Sequence, residues 1–99
     1  MVMAYDPGAI DAALAAAVGD EPGLIAELRL AFTDSASRAL TAMESAQDEA
    51  AWTVAAARLR GLAASFGAVR LMALATRAGE GAPGDPDVLL RLRRAVARL

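Results

Sequence analysis

The 99-residue chain contains no cysteine and no histidine, and its aromatic residues are one Trp, one Tyr and two Phe. Without cysteine, the chain forms no disulfide, no thiolate nucleophile and no zinc ribbon. Without histidine, it lacks the residue that most often serves as general base, metal ligand or phosphoryl acceptor. Its serines have no imidazole to activate them. We therefore expect a non-enzyme that uses no cofactor and no metal ion.

Long apolar runs are absent as well. No segment reaches the roughly 18 to 20 apolar residues that span a bilayer. The first ten residues, MVMAYDPGAI, lack the basic and apolar regions of a secretion signal. We therefore expect a soluble, cytoplasmic protein with no membrane partner. A chain of this length builds one core, so residues 1–99 are predicted to be a single domain.

Charge is divided unevenly along the chain. Residues 1–49 hold nine acids and two arginines, whereas residues 50–99 hold eight arginines and three acids. The sign of the second half suits an acidic partner surface. We do not expect nucleic acid as a partner, because the basic excess is small and few aromatic side chains could stack on bases. The arginines that could contact nucleic acid are interpreted more simply as a solvated face: Arg91, Arg93, Arg94 and Arg98.

Apolar residues recur at helical spacing throughout, and no segment alternates with period two. Helix starts are indicated at Asp6, Asp20 and Asp85, and stops at Gly19 and in residues 79–84. Five apolar stripes follow from these boundaries: Ile10–Val18, Leu24–Ala46, Trp52–Phe66, Leu71–Ala78 and Val88–Leu99. Short linkers make neighbouring helices antiparallel. We therefore predict an all-α fold, an up-down four-helix bundle with an extra N-terminal capping helix.

The helix that carries AAARLRGLAASFGA, residues 55–68, has an unusual outer face. At about 100° per residue, the side opposite its buried stripe carries small residues: Ala50, Thr53, Ala57, Gly61 and Ala64. A surface helix normally carries Glu, Lys or Arg there, and Gly61 costs up to ~1 kcal/mol relative to alanine. Two interpretations remain open. Either the helix is buried on both sides, or the strip receives another protein, with Arg58 and Arg60 at its edges.

The same residues resemble the motif of histidine-containing phosphotransfer (HPt) domains, four-helix bundles that shuttle phosphoryl groups between receiver domains. That motif reads His, any residue, Leu, Lys or Arg, Gly and two small residues, with a second Gly ten places after the His. The corresponding residues here are Ala57, Arg58, Leu59, Arg60, Gly61, Leu62 and Ala63, followed by Phe66, Gly67 and Ala68. The likeness extends from about residue 6 to the C-terminus, with Asp48 opening the motif helix as in the family.

The resemblance implies a role for each matched position. Ala57 occupies the place of the phosphoryl-accepting histidine, Arg60 that of the residue that stabilises the phosphoryl group, and Gly61 that of the glycine that gives it room. Three further residues of the same face would contact the partner: Thr53, Arg58 and Ala64. The implied partner is a receiver domain, belonging to a response regulator or to a hybrid histidine kinase.

The chain departs from the family where the chemistry would occur. The methyl group of Ala57 cannot be phosphorylated, and no histidine stands elsewhere in the chain. Leu62 is a second departure, because the family usually has a small residue there. Ala57 is compatible with an engineered His-to-Ala replacement and with a natural pseudo-HPt domain. We predict a monomer that binds receivers without accepting phosphoryl; the alternative is a non-catalytic helical protein that dimerises through the small-residue face of the motif helix.

Overall fold

A computed structural model describes residues 21–99. These residues form four helices and no strand: α1 (Pro22–Glu44), α2 (Glu49–Ser65), α3 (Val69–Glu80) and α4 (Pro86–Ala97). The prediction of an all-α fold is confirmed. The predicted N-terminal capping helix, with its signals at Asp6 and Gly19, lies outside the described residues. Within the described part of the chain, no helix combines the length and the hydropathy needed to cross a membrane.

The four helices pack in the order in which they occur in the chain. α2 lies between α1 and α3, and α4 closes the ring by packing on both α3 and α1, while no contact joins the two diagonal pairs of described helices. The connecting segments are three to five residues long, spanning 45–48, 66–68 and 81–85. Such short connections place consecutive helices antiparallel, which gives the predicted four-helix bundle.

Local signals determine where most helices begin. Asp48 caps α2 and Asp85 caps α4, each accepting a hydrogen bond from a backbone N–H of the first turn. The start predicted around Asp20 agrees with that of α1 to within two residues, and Asp20 itself lies outside the described residues. The N-cap position of α1 is Glu21, which makes no side-chain cap bond. The start of α1 is instead set by Pro22, whose fixed φ and missing N–H suit the first helical position.

The join between α2 and α3 is a glycine turn. Gly67 has φ 72°. The N–H of Ala68 donates to the carbonyl of Ala63 at 2.9 Å, and the N–H of Gly67 donates to the carbonyl of Ala64 at 3.4 Å. This paired arrangement satisfies carbonyls that the end of a helix would leave unpaired. A side chain at position 67 would be strained, so the fold itself requires this glycine.

One apolar core joins all four helices. Its largest fully buried side chains come from the predicted stripes: Trp52, Phe32, Met43, Leu59, Leu71 and Leu92. Phe32 of α1 stacks on Phe66 at the end of α2, with ring centroids 4.5 Å apart. Leu24 was expected in the core but is exposed, since the buried residues of α1 begin only at Phe32. The first two turns of α1 therefore contribute only partly buried side chains to the core, those of Ile25 and Leu28.

The indole of Trp52 makes the buried polar contact between α2 and α3. Its Nε1–H donates to the carbonyl oxygen of Ala78 at 2.7 Å, across a separation of 26 residues. Ala78 lies in the last turn of α3, and its carbonyl also accepts a hydrogen bond from the N–H of Gly81 at 3.2 Å. The bond from Trp52 satisfies the buried indole N–H and fixes the start of α2 against the end of α3.

We expect Trp52→Phe to lower the free energy of unfolding by about 2 kcal/mol. The substitution replaces the buried indole with a smaller phenyl ring and removes a buried hydrogen-bond donor. Denaturant unfolding followed by circular dichroism measures the change, since the variant loses the only tryptophan. Leu30→Ala is the control: Leu30 is 69% exposed, and its truncation should cost no more than about 0.5 kcal/mol. Equal losses in the two variants would contradict the assigned role of Trp52.

Candidate docking face on α2

The small residues of α2 form one exposed surface, here called the docking strip: Ala50, Thr53, Ala57, Gly61 and Ala64. The opposite side of the helix is buried and contains Trp52, Ala56, Leu59 and Ala63. No described helix packs on the strip. Within residues 21–99, α2 is therefore buried on one side only, as the docking interpretation requires.

Ala57 stands at the midpoint of α2, which runs from Glu49 to Ser65. Its neighbours one turn away along the strip are Thr53 and Gly61, both small and exposed. A side chain at this position would project from mid-helix, and its nearest neighbours along the strip are no larger than threonine. Such a position allows another protein to approach the helix backbone closely.

Two arginines flank Ala57 on opposite sides of the strip. Arg58 faces α1, since it lines the groove between α1 and α2. Arg60 faces α3, because it stands one turn after Ala56, whose Cβ abuts Gly79 of α3. Both are exposed, and neither has a hydrogen bond or ion pair anywhere in the described structure. Both guanidinium groups are thus available to an anionic partner.

Gly61 has no structural reason to be glycine. Its φ is not positive, and a Cβ built on it meets no atom within 4 Å. Its carbonyl accepts a hydrogen bond from the Ser65 hydroxyl at 2.9 Å, a contact that any residue at 61 could make. Glycine nevertheless lowers helix stability here by up to ~1 kcal/mol. Unlike Gly67, it is unexplained by the packing of the described residues.

The structure extends the site to residues that the sequence analysis missed. An apolar groove of about 400 Å³ runs beside the strip between α1 and α2, lined by Ala42, Ala50, Ala51, Val54, Ala55 and Arg58. Val54 is 70% exposed, an unusual state for a valine in mid-helix. The sequence could have indicated Val54 as a site residue, because it stands three residues before Ala57 and is therefore its neighbour on the helix surface. The sequence could not indicate Ala42, because its place in the groove depends on how α1 packs on α2.

Other residues singled out from the sequence lie elsewhere. Leu62, the second departure from the HPt motif, is half-buried and packs against the core, so packing accounts for its size. The C-terminal arginines do not share one face. The Nε–H of Arg93 donates to Glu44 Oε2 of α1 at 2.8 Å, whereas Arg91, Arg94 and Arg98 line a groove between α3 and α4.

We expect Gly61→Ala to raise the free energy of unfolding by about 0.5 to 1 kcal/mol, because the added methyl group fits and restricts the unfolded chain. The matched change Gly67→Ala should lower it, since alanine is strained at a positive φ. Thermal unfolding of both variants measures the difference, with a rise of about 2 to 8 °C in the melting temperature for the first. A loss of stability in Gly61→Ala would show that the fold does require this glycine.

Comparison with known proteins adds no family to these observations. Neither protein-family models, curated proteins nor solved structures contain a match to this chain. The resemblance to HPt domains therefore rests on the spacing of the motif residues, and it remains a proposal. What the described structure contributes is their arrangement: Ala57, Arg60 and Gly61 lie together on one exposed face.

Proposed function

We propose that this chain is an HPt-type docking protein of two-component signalling. It binds the receiver domain of a response regulator or hybrid histidine kinase through the docking strip, and with Ala57 it accepts no phosphoryl group. The observation that carries the proposal is Gly61, an exposed mid-helix glycine that the fold does not require, one turn from the phosphoacceptor position. A close partner explains it, because that partner needs the space a side chain would fill.

The charges beside the strip support the same partner. The aspartyl phosphate of a receiver is an anion in an acidic site, and guanidinium groups form strong, charge-assisted hydrogen bonds to phosphoryl oxygens. Arg58 and Arg60 approach such an anion from opposite sides of Ala57. The contact surface is one helix face and its adjoining groove, so we expect a transient complex with a dissociation constant of roughly micromolar.

The missing imidazole decides what the complex can do. In the family, a histidine nitrogen attacks the phosphorus of the aspartyl phosphate; an N–P bond forms, the P–O bond to the aspartate breaks, and the carboxylate leaves. Ala57 has no lone pair for this attack. The protein then holds a receiver without discharging it, as an inhibitor or a scaffold would. This behaviour is the same whether Ala57 is engineered or natural.

A second candidate is a homodimer formed through the same strip. Val54 at 70% exposure and the apolar groove beside it would be covered in such a dimer. Small residues also let two helices approach closely. Sedimentation equilibrium separates the two: a stable dimer that Ala57→Arg dissociates favours this candidate, and a monomer at high concentration favours receiver docking.

We expect Ala64→Trp to abolish receiver binding, because the indole would occupy the space that the partner helix needs. Arg60→Glu should do the same by reversing a charge at the edge of the strip. The matched control is Ala97→Trp, which adds the same side chain to an exposed alanine in the last turn of α4. Surface plasmon resonance against a cognate receiver measures all three, and affinity unchanged by Ala64→Trp would refute the proposed face.

Restoring the nucleophile tests the site more directly. We expect Ala57→His to acquire acid-labile radiolabel from a phosphorylated receiver, while the parent chain binds the same receiver and stays unlabelled. Adding Arg60→Ala to the variant should slow labelling by at least tenfold, since a charge-assisted contact to the phosphoryl group is lost. Binding without label would leave a docking protein with no latent transfer centre. A chain that neither binds nor labels would sink the proposed function.

A further inference from the structure

A second charged surface lies between α3 and α4, away from the docking strip. It is a groove of about 530 Å³, here called the arginine groove, and its walls carry five arginines: Arg70, Arg77, Arg91, Arg94 and Arg98. Its floor is apolar and includes Ala73, Leu74 and Ala95. No Cα atom of α4 lies within 8 Å of one in α2, so this groove and the docking strip are separate surfaces of the bundle.

The arginines form two facing rows. Arg70 and Arg77 stand two turns apart on α3, and Arg91 and Arg98 stand two turns apart on α4, with Arg94 between them. Two helical turns are about 11 Å long. The groove is therefore as long as a small molecule and is positively charged on both sides.

Four of these five arginines have no ion-pair partner among the described residues. Arg91 contacts Asp87 at 3.2 Å. No hydrogen bond or ion pair is formed by Arg70, Arg77, Arg94 or Arg98 in the described structure. Arg94 follows Arg91 by three residues and precedes Arg98 by four, and like charges at these spacings destabilise a helix. Arg77 and Arg94 stand in the last turns of α3 and α4, where a cation favours the helix dipole. That effect does not require five arginines to line one groove, so we look for the cause of the convergence in a ligand.

The chemistry of the walls defines that ligand. Guanidinium groups are donors only, and no carboxylate, hydroxyl or amide side chain lines the groove. A ligand must therefore offer several acceptor oxygens and negative charge, spread over about 10 Å. The groove has the volume of a small-molecule site. We propose that the arginine groove binds a small polyphosphate, either inorganic or carried by a nucleotide.

Larger polyanions fit these observations less well. The whole chain has a net charge of −2, which gives little long-range attraction for duplex nucleic acid. An acidic polypeptide is also negatively charged, but a groove only two helical turns long would contact only a short part of such a chain. This inference does not depend on the proposed function, because the residues of the groove belong to α3 and α4 and those of the docking strip to α2.

Calorimetric titration with sodium tripolyphosphate and with ATP tests the groove, in 0.15 M salt without divalent cations. We expect one site per chain, with a dissociation constant of about 10 to 100 μM. The double variant Arg77→Ala/Arg94→Ala should weaken binding at least tenfold. The control Arg38→Ala/Arg93→Ala removes equal charge outside the groove, from arginines paired with Asp34 and Glu44, and should change the affinity less than twofold.

A third variant separates loss of the site from loss of the fold. Ala73 is exposed between Arg70 and Arg77, so Ala73→Glu places a carboxylate where the ligand would lie and forms helix pairs with both arginines. We expect it to abolish binding while it raises the melting temperature. Equal affinities for the two probes would identify phosphate alone as the ligand, whereas tighter binding of ATP would place its base on the apolar floor.

Three results would overturn the proposal. The first is the absence of saturable binding of either probe. The second is an equal loss of affinity in the groove variant and in the charge-matched control, which would mean that the probe merely senses net charge. The third is tight binding of a poly-glutamate peptide with none of tripolyphosphate or ATP, which would make the groove a protein contact.

Discussion

The pairing of α2 with α3 is the contact on which the rest of the bundle depends. At one end, the buried indole of Trp52 donates to the carbonyl of Ala78; at the other, Gly67 turns the chain and satisfies the last carbonyls of α2. One turn from Trp52, Ala56 lies against Gly79 at the same end of the pair. A hairpin fixed at both ends leaves α2 little freedom to rotate about its axis. The side that buries Trp52 and Leu59 therefore determines which side faces outward.

That constraint separates structural residues from functional ones on a single helix. Gly67 is explained by its positive φ, so its agreement with the HPt motif carries no functional information. Gly61 has ordinary helical geometry and open space around it, so the packing of the described residues does not account for it. Leu62 is explained by its contact with the core, whereas Ala57 is exposed. The part of the motif that this packing leaves unexplained is the part on which the proposed docking rests.

Features that depend on one helix at a time could be predicted from the sequence. The caps at Asp48 and Asp85 and the outward position of the docking strip follow from local signals and a 100° step. The start of α1 was predicted from a signal of the same kind, to within two residues of Pro22. Surfaces made by two helices could not be foreseen. The groove beside Val54 needs α1 against α2, and the arginine groove needs α3 against α4. Arg93 and Arg94 are adjacent in sequence, yet they face different neighbours because one step turns the helix by about 100°.

The described helices show where the positive charge of the second half lies. One ion pair joins distant parts of the sequence, Arg93 with Glu44, and the Arg38 and Arg91 pairs are local to their helices. Most of the arginines stand at the edges of the docking strip and in the arginine groove. Both surfaces attract anions, and salt screens both. The two surfaces differ in shape. The strip is a helix face with short side chains, which suits contact with the surface of another protein, whereas the groove is concave and about two helical turns long, which suits a small molecule.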